Sequence, residues 1–565
     1  MAEPIRTAPD ESGRLSHNQI MLILSGLLLG MFLAALDQTI VSAAMRTIAD
    51  KLNGQTNQAW ATTAYLVTST VSTPLYGKLS DMYGRKKFYL FAISIFLVGS
   101  VLSGMSNSME ELAAFRAIQG LGAGGLMALA FAIVGDIVPP RERAKYQGYF
   151  MAVFGLSSVA GPVLGGLLAG QDRLLGFDGW RWVFYVNLPI GIVALAVVSR
   201  FLNIPHVRKE HKVDYLGAVT LVLGVTSLLL VAEQGRSWGW GSSKALLCFV
   251  VGALLIGAFV AIERKVGDEA ILPLKMFNSP VFSVASLMNF IIGMGMFGGI
   301  ICLPLYMQIV KGFSPTKSGL SLLPLMLGLM TVAMSSGIYT SKTGRYKIFP
   351  IVGTGVLVLA LFGLSRISYT TSYTELAPLM FFVGTGLGCC MQTLVLATQN
   401  SVPASQMGVA TASATFFRSM GGTFGTAVFL TIFFSGSATK IGANVQAAAA
   451  TPEFQSALRN PANGVIAKAL QAMRGGSTSQ LNDTSFLQHG ASILRDPFLA
   501  GFASAMDRVF LVAAIVVIPA FILSFFLKEV KLRTESGLEA QAAERLAAER
   551  AMGEVGAAPS QGASV

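Results

Sequence analysis

Charge is what this chain has least of. Of its 565 residues only 12% are Asp, Glu, Lys or Arg, about half of the roughly 25% that soluble domains carry. With 53% hydrophobic residues and a mean hydropathy of +0.61, it does not read as a water-soluble globule. Histidine is scarce too, at four, and no His, Cys and acidic residues gather at ligand spacing, which argues against metal-centred and hydrolytic chemistry. The four cysteines, Cys248, Cys302, Cys389 and Cys390, all fall inside apolar runs and read as small hydrophobes. No GxxxxGK[ST] loop occurs, which leaves no nucleotide-driven pump within the chain. GLGAGG (Gly120–Gly125) and GMGMFGG (Gly293–Gly299) match the dinucleotide fingerprint in letters only, because each lies in an apolar run with no strand before it. No enzyme is expected.

What is there is a succession of about fourteen apolar runs, from 19–45 to 508–527, each near the roughly 20 residues that cross a bilayer as helix. Sixty glycines and 24 methionines suit helices that approach closely in lipid and a pocket with pliable walls. The formal charge of +12 sits in short clusters between runs. Arg85-Lys86-Lys87, Arg141/Arg143/Lys145, Arg208/Lys209/Lys212, Arg264/Lys265/Lys275 and Lys342/Arg345/Lys347 all fall on one side of the alternating runs. That bias sets both termini in the cytoplasm of a multi-pass cell-membrane (plasma or inner) protein, and nucleic acid is not an expected partner. Residues 1–18 are polar and the first run is too long for a leader's core, so no cleavable leader is expected. Residues 437–506 read as one long outer loop, a tolerated insertion or a small lid, and 529–565 as an Ala/Glu-rich cytoplasmic tail.

The first run, MLILSGLLLGMFLAALDQTIVSAAM, carries a single carboxylate, Asp37. An ionised acid there costs on the order of 3 kcal/mol, so it is a functional-site candidate by default. Asp37 stands about eight residues, roughly 12 Å, from one end of its helix, and Arg116 about six residues, roughly 9 Å, from the corresponding end of its own. The two can meet at one depth. Burial favours the neutral acid and a guanidinium favours the ionised one, and that balance suits a site that loads and releases a proton. Arg418 is the other cation deep in a run; it can snorkel, bind a helix-end carbonyl or hold a substrate carboxylate. Gln38, Gln119, Tyr306, Gln308, Gln392 and Gln399 are polar residues in spans, candidates with Arg418 for lining a substrate cavity.

Several stretches then resemble one family. GKLSDMYGRKK (77–87) is similar to the signature loop of the major facilitator superfamily, and LAAFRAIQGLGAGG (112–125) to its fourth-span motif. GLSSVAGPVLGG (155–166) resembles the fifth-span antiporter motif, with Gly155, Gly161, Pro162, Gly165 and Gly166 in register. LDQTIVSAAM, WRWVFYVNLPIG, LPLYMQIVKGFSPTKSGL and FFRSMGGTFG resemble further motifs of the fourteen-helix drug:proton antiporters. The resemblance implies a cytoplasmic gate made by Gly77, Asp81, Gly84, Arg85, Lys86 and Asp136, and proton coupling at Asp37 and Arg116. The counterpart of the signature loop in the second half is reduced to SKTGRYK (341–347).

The expectation is thus an all-α integral membrane protein of the major-facilitator type. Two pseudo-symmetric six-helix halves, 19–203 and 281–528, would flank two additional spans, 214–262. Its expected function is proton-coupled antiport that exports hydrophobic or amphiphilic small molecules by alternating access. The coupling ion is the proton, no cofactor or metal is expected, and the chain reads as a monomer. Export of one lipid or endogenous metabolite, proton symport, or a non-transporting sensor or scaffold are the alternatives.

Overall fold

The computed structural model describes residues 15–532, apart from 53–57, 141, 204–213, 404–405, 461–462, 465 and 467–490, together with 536, 538–539 and 542–543 of the tail. The cationic stretch Arg208/Lys209/Lys212, Arg141, and most of the expected terminal segments lie outside the described residues. Nearly everything described is helix. Eleven of these helices are long and apolar enough to cross a membrane, and two shorter apolar ones accompany them. The chain is a multi-pass membrane protein.

The first half comprises α1 (His17–Lys51), α2 (Gln58–Tyr83), α3 (Arg85–Met105), α4 (Met109–Ile137), α5 (Ala144–Ala169), α6 (Trp182–Tyr185) and α7 (Asn187–Phe201). Helix α2 is rich in Ser and Thr and falls short of the apolar criterion, yet it packs on α4 along its length. Two helices follow, α8 (Tyr215–Trp238) and α9 (Ser243–Val266), paired with each other. The second half holds α10 (Pro280–Ile309), α11 (Pro315–Leu320), α12 (Leu323–Thr343), α13 (Ile348–Leu364), α14 (Tyr373–Asn400), α15 (Met407–Ala449), α16 (Pro452–Arg459) and α17 (Ser492–Phe526). Helix starts are set locally: Ser16 and Ser372 each close a capping box, with Gln19 and Glu375 respectively.

The halves repeat one neighbour scheme. In the first, α1 packs on α5 and α7, α2 and α3 on α4, and α3 on α7; in the second, α10 packs on α15 and α17, α12 and α13 on α14, and α13 on α17. Between halves, α2 lies on α15 and α5 on α12. Helix α8 touches both α2 and α15, so it lies across that seam. Leu221, Val225 and Leu229 of α8 share an apolar cluster with Val67 and Val71 of α2 and Phe416 of α15.

One end of the bundle gathers the start of α1, the end of α2, the start of α3, the end of α4 and the start of α15; with its arginines it is the basic end. Burial differs along the helices. From Gly122 every residue of α4 toward the basic end is buried except Met127, and from Gly386 every residue of α14 except Met391. On α1, Met31 and Ala35 are buried, whereas Gln38, Ser42 and Arg46, further along the same face, are exposed. A lipid-facing stripe would be exposed along its whole length. The pattern is that of two halves closed at the basic end and more open toward the far end.

At the far end a short hairpin, β1 (Arg173–Leu174) with β2 (Phe177–Asp178), follows α5. Arg181 beside it caps α3 by donating to the carbonyls of Gly104 (2.7 Å) and Ser106 (2.9 Å). The long loop expected over 437–506 is shorter than the composition implied. Helix α15 continues to Ala449, α16 follows, and α17 starts at Ser492. The run NVQAAAA favours helix strongly enough to extend α15 beyond its apolar part.

Candidate functional site

Asp37 is fully buried, and three side chains from two other helices aim donors at it. Arg116 of α4 donates to Oδ2, and Gln119, one turn along α4, donates Nε2 to Oδ1 at 2.8 Å. Asn187, the first residue of α7, donates Nδ2 to the same Oδ1 at 3.1 Å and to Ser100 Oγ of α3 at 3.0 Å. Arg116 also donates to Gln119 Oε1 at 2.7 Å and stacks over the Tyr65 ring of α2, 4.0 Å from its centroid. Its Nε and the Asn187 Oδ1 are buried with no hydrogen-bond partner among the described residues. A buried ion pair needs its remaining polar atoms satisfied if attraction is to offset desolvation. Here both carboxylate oxygens accept at least one hydrogen bond, while two neighbouring atoms keep spare capacity.

Gln119, expected in the substrate cavity, thus belongs to the carboxylate cluster. Asn187 and Tyr65 were not singled out as site residues by sequence. Asn187 stands 150 positions from Asp37, and only its place in the WRWVFYVNLPIG motif distinguishes it from an ordinary interhelical amide.

The second constellation lies at the basic end. Gly84 adopts φ +103°, which lets the chain turn from α2 into α3 with this one residue between them. Arg85, at the start of α3, then reaches three partners: Asp81, Asp136 Oδ2 on α4 at 2.7 Å and Ser80 Oγ at 2.6 Å. Asp81 Oδ2 accepts from the Val409 backbone N–H at 2.9 Å, at the first turn of α15 in the other half. Gly77 admits α15 closely, since a Cβ there would overlap Ala412 and the Gly408 carbonyl. Asp81 lies beyond the apolar part of α2. Burial pushes its carboxyl up to about 6; Arg85 pulls down, Asp136 pushes up, and the Val409 amide pulls down. Lys86 departs from expectation. It reaches Ser199 O (2.6 Å) and Asn203 Oδ1 (2.7 Å) at the end of α7, within its own half, because α3 turns it away from the seam.

Two other positions also move away from a central cavity. Tyr306 is buried and donates its hydroxyl to the Ser368 carbonyl at 2.7 Å, which fixes the far end of α10. Gln308 is exposed at that same end, whereas Gln38 lies on the α1 face that is open toward the far end. Gln392 and Gln399 are buried at the basic end, where they line a cavity of about 20 Å³ with Phe131, Val134, Arg143 and Phe150. Gln399 accepts from Arg143, the residue before α5, and donates to Thr411 Oγ1 of α15 at 2.8 Å, so it clamps the halves. Arg418 is partly buried and makes no hydrogen bond or ion pair with any described residue.

Helix α5 serves two neighbours. Gly161 and Gly165 lie against Thr39 and Ile40 of α1, while Gly155 faces Met330 of α12 and Pro162 faces Gly319 of α11. Gly166 has open space around it. Two acids also emerge near the far end: Glu233 on α8 and Asp507 on α17, each partly buried with one carboxylate oxygen buried and unpaired among the described residues. The apolar run taken as 508–527 had left Asp507 just outside.

The family model described as Major Facilitator Superfamily matches residues 27–426. Multidrug transporter protein MdtP of Bacillus subtilis is 34% identical, the alignment covering 93% of this chain and 96% of that protein. Multidrug resistance protein 3 of the same organism is 32% identical over 92% and 97%. Among solved structures, the proton:xylose symporter XylE superposes with a TM-score of 0.59 at 13% identity, over 93% of this chain and all of that one. At that identity the likeness concerns the fold alone.

Proposed function

The chain belongs to the major facilitator superfamily, and on that premise we propose that it is a proton-coupled antiporter exporting hydrophobic or amphiphilic small molecules from the cytoplasm. In this reading it sits in the plasma or inner membrane with the basic end and both termini cytoplasmic. The carrying observation is the Asp37 cluster: a fully buried carboxylate whose charge is held by Arg116, Gln119 and Asn187. The names of the two Bacillus subtilis relatives support a drug-like substrate range.

In this mechanism ionised Asp37 waits in an outward-facing state. A proton entering from the far end, past the exposed face of Gln38, neutralises it and leaves Arg116 without its counter-ion. The three donors then no longer hold α1, α4 and α7 in one arrangement. Thr39, two residues on, donates to Ser157 O of α5 at 2.9 Å, so movement of α1 reaches the helix that lies on α12. Opening inward requires the Asp81–Val409 contact and the Arg143–Gln399 contact to break. The proton leaves to the cytoplasm, substrate binding favours the return, and one site is loaded from each side in turn.

The test uses purified protein in liposomes with an imposed pH gradient and a fluorescent amphiphile, wild type against Asp37→Asn. Gradient-driven movement by wild type and its loss in the variant, with substrate binding retained, is the expected result. Equal gradient-driven transport by both would remove Asp37 as the carrier.

A further inference from the structure

Two side chains interrupt an otherwise complete pattern of burial. Between Gly122 and Ile137 of α4 only Met127 keeps exposed surface, and between Gly386 and Asn400 of α14 only Met391 does. The two helices hold the same place in the neighbour scheme of their halves, and each methionine stands eighteen residues from the start of its helix. Each also precedes a basic-end residue, Asp136 or Asn400, by nine positions, so about 13 Å along the axis. That is close to half of the roughly 30 Å hydrocarbon thickness. The pair therefore lies at one depth, near the midplane.

A glycine frame puts the two in register. Gly120 and Gly124 of α4 lie on α2 and Gly122 on α3; Gly384 and Gly388 of α14 lie on α12 and Gly386 on α13. In both helices the methionine follows the last of these glycines by three residues. Phe131 and Val134, four and seven residues after Met127, line the small basic-end cavity between the halves, as does Val395, four after Met391. Such spacings keep to one helix face. Each methionine thus stands one turn above that cavity, on the side that its half turns to the other. Ala114 and Pro378, exposed at matching positions of α4 and α14, point about 140° away from them, and that is the lipid side.

The surface that these two keep is the floor of the space that opens toward the far end, and it is soft. A thioether on three rotatable bonds adapts to different outlines and makes favourable contacts with aromatic rings, often at their edge. With one methionine on each half, a ring lying between them touches both halves at once. Occupancy then favours the arrangement in which the halves draw together over the ring, and such differential contact is what lets a bound molecule shift a conformational equilibrium. A saturated ring of similar size fills the same space without the sulfur contact.

We propose that Met127 and Met391 form a two-sided thioether clamp for a ring of the exported molecule, so that the preferred cargo has a planar aromatic body and not a saturated one. This rests on the export reading and names its substrate class. Phe131 and Val395, one turn below, close the floor beneath the ring.

The experiment compares two tritiated probes in pH-gradient proteoliposomes, sharing one alkyl-ethanolamide tail and differing in the body, naphthyl against decahydronaphthyl. Wild type is expected to move the naphthyl probe with the higher kcat/KM. Met127→Leu and Met391→Leu keep the volume and lose the sulfur. Each should cut the ratio of the two kcat/KM values about threefold or more, and the double variant should cut it further. A merely structural role would lower both values together and leave the ratio unmoved. Met127→Cys and Met391→Cys test the placement. A small impermeant methanethiosulfonate added from the far end should label each above the background of the four native cysteines, and the naphthyl probe should protect both. A wild type with no preference, an unmoved ratio in both leucine variants, or no labelling at either cysteine would overturn the clamp while leaving the export reading intact. A wild type that moves neither probe overturns both.

Discussion

Thr39 donates its hydroxyl to the main-chain carbonyl of Ser157 at 2.9 Å. That one bond ties the helix bearing the buried carboxylate to the helix that lies on the other half. Gly161 packs directly beside it, where a Cβ would overlap the Thr39 side chain. Gly161→Ala is expected to destabilise by about 1–3 kcal/mol through overpacking and to slow transport. Combining it with Thr39→Ala, which vacates the space, should recover part of the stability. A double-mutant cycle on melting temperature in detergent checks this, and strict additivity would place the two effects in separate contacts.

Removing Arg116 alone should cost far more than removing it together with its partner. Arg116→Met leaves a buried carboxylate without its cation, a change of about 3–5 kcal/mol in comparable buried pairs. The double variant Asp37→Asn/Arg116→Met should melt above the single Arg116→Met variant, though neither should couple transport to a pH gradient. Melting curves with and without a gradient-driven assay separate stability from coupling.

The basic-end latch is expected to tighten in mild acid. Asp81 pairs with Arg85, yet burial in the closed latch has pushed its carboxyl up to about 6, above the 3.8 of a hydrated aspartate. The closed latch therefore holds this proton more tightly than an opened, hydrated Asp81 does, so a fall in pH through about 6 favours closure and a rise above it makes opening easier. A cysteine placed at Thr411, buried between the halves, reports the change. Labelling by a small maleimide, corrected for the thiolate fraction, should slow below about pH 6 in wild type, and Arg85→Ala, which leaves the buried carboxylate unpaired, should label faster than wild type above it. A wild-type rate flat from about pH 5 to 8 would exclude Asp81 as the titrating group.

Gln399 gives an independent handle on the same seam. Gln399→Leu removes the acceptor for Arg143 and the donor to Thr411 at nearly constant volume. The expected result is faster labelling at residue 411 with the pH step still present, because Asp81 and Arg85 are untouched. Loss of the step would mean that the two contacts open as one unit.

How much of this was legible beforehand depends on what each residue's signal is made of. Apolar runs of bilayer length announce themselves, so the helix order and the two halves could be read directly. Asp37 and Arg116 could be matched by depth alone, since each is a lone charge in an apolar run and helical rise converts position into height. Phase was the missing quantity. Gln119 and Gln38 are equally polar and similarly deep, yet one bonds the carboxylate and the other lies on the open face of α1, a difference of rotation that a single chain does not reveal. Asn187 carries no charge, and only its place in the WRWVFYVNLPIG motif sets it apart. Helix α15 overran its apolar stretch because alanines continue a helix whether or not lipid surrounds it.

The position of α8 has a mechanical consequence. A helix resting on both α2 and α15 cannot stay still when those two part: it must slide over one or ride with it. Its contact surface of Leu, Val and Phe offers little that would lock in one register. The outer face of the α8–α9 pair is held by lipid, so the viscosity and lateral pressure of the surrounding bilayer act as friction on each swing. Turnover should therefore track acyl-chain order in the host membrane, and the two additional helices are the bearing through which it does so.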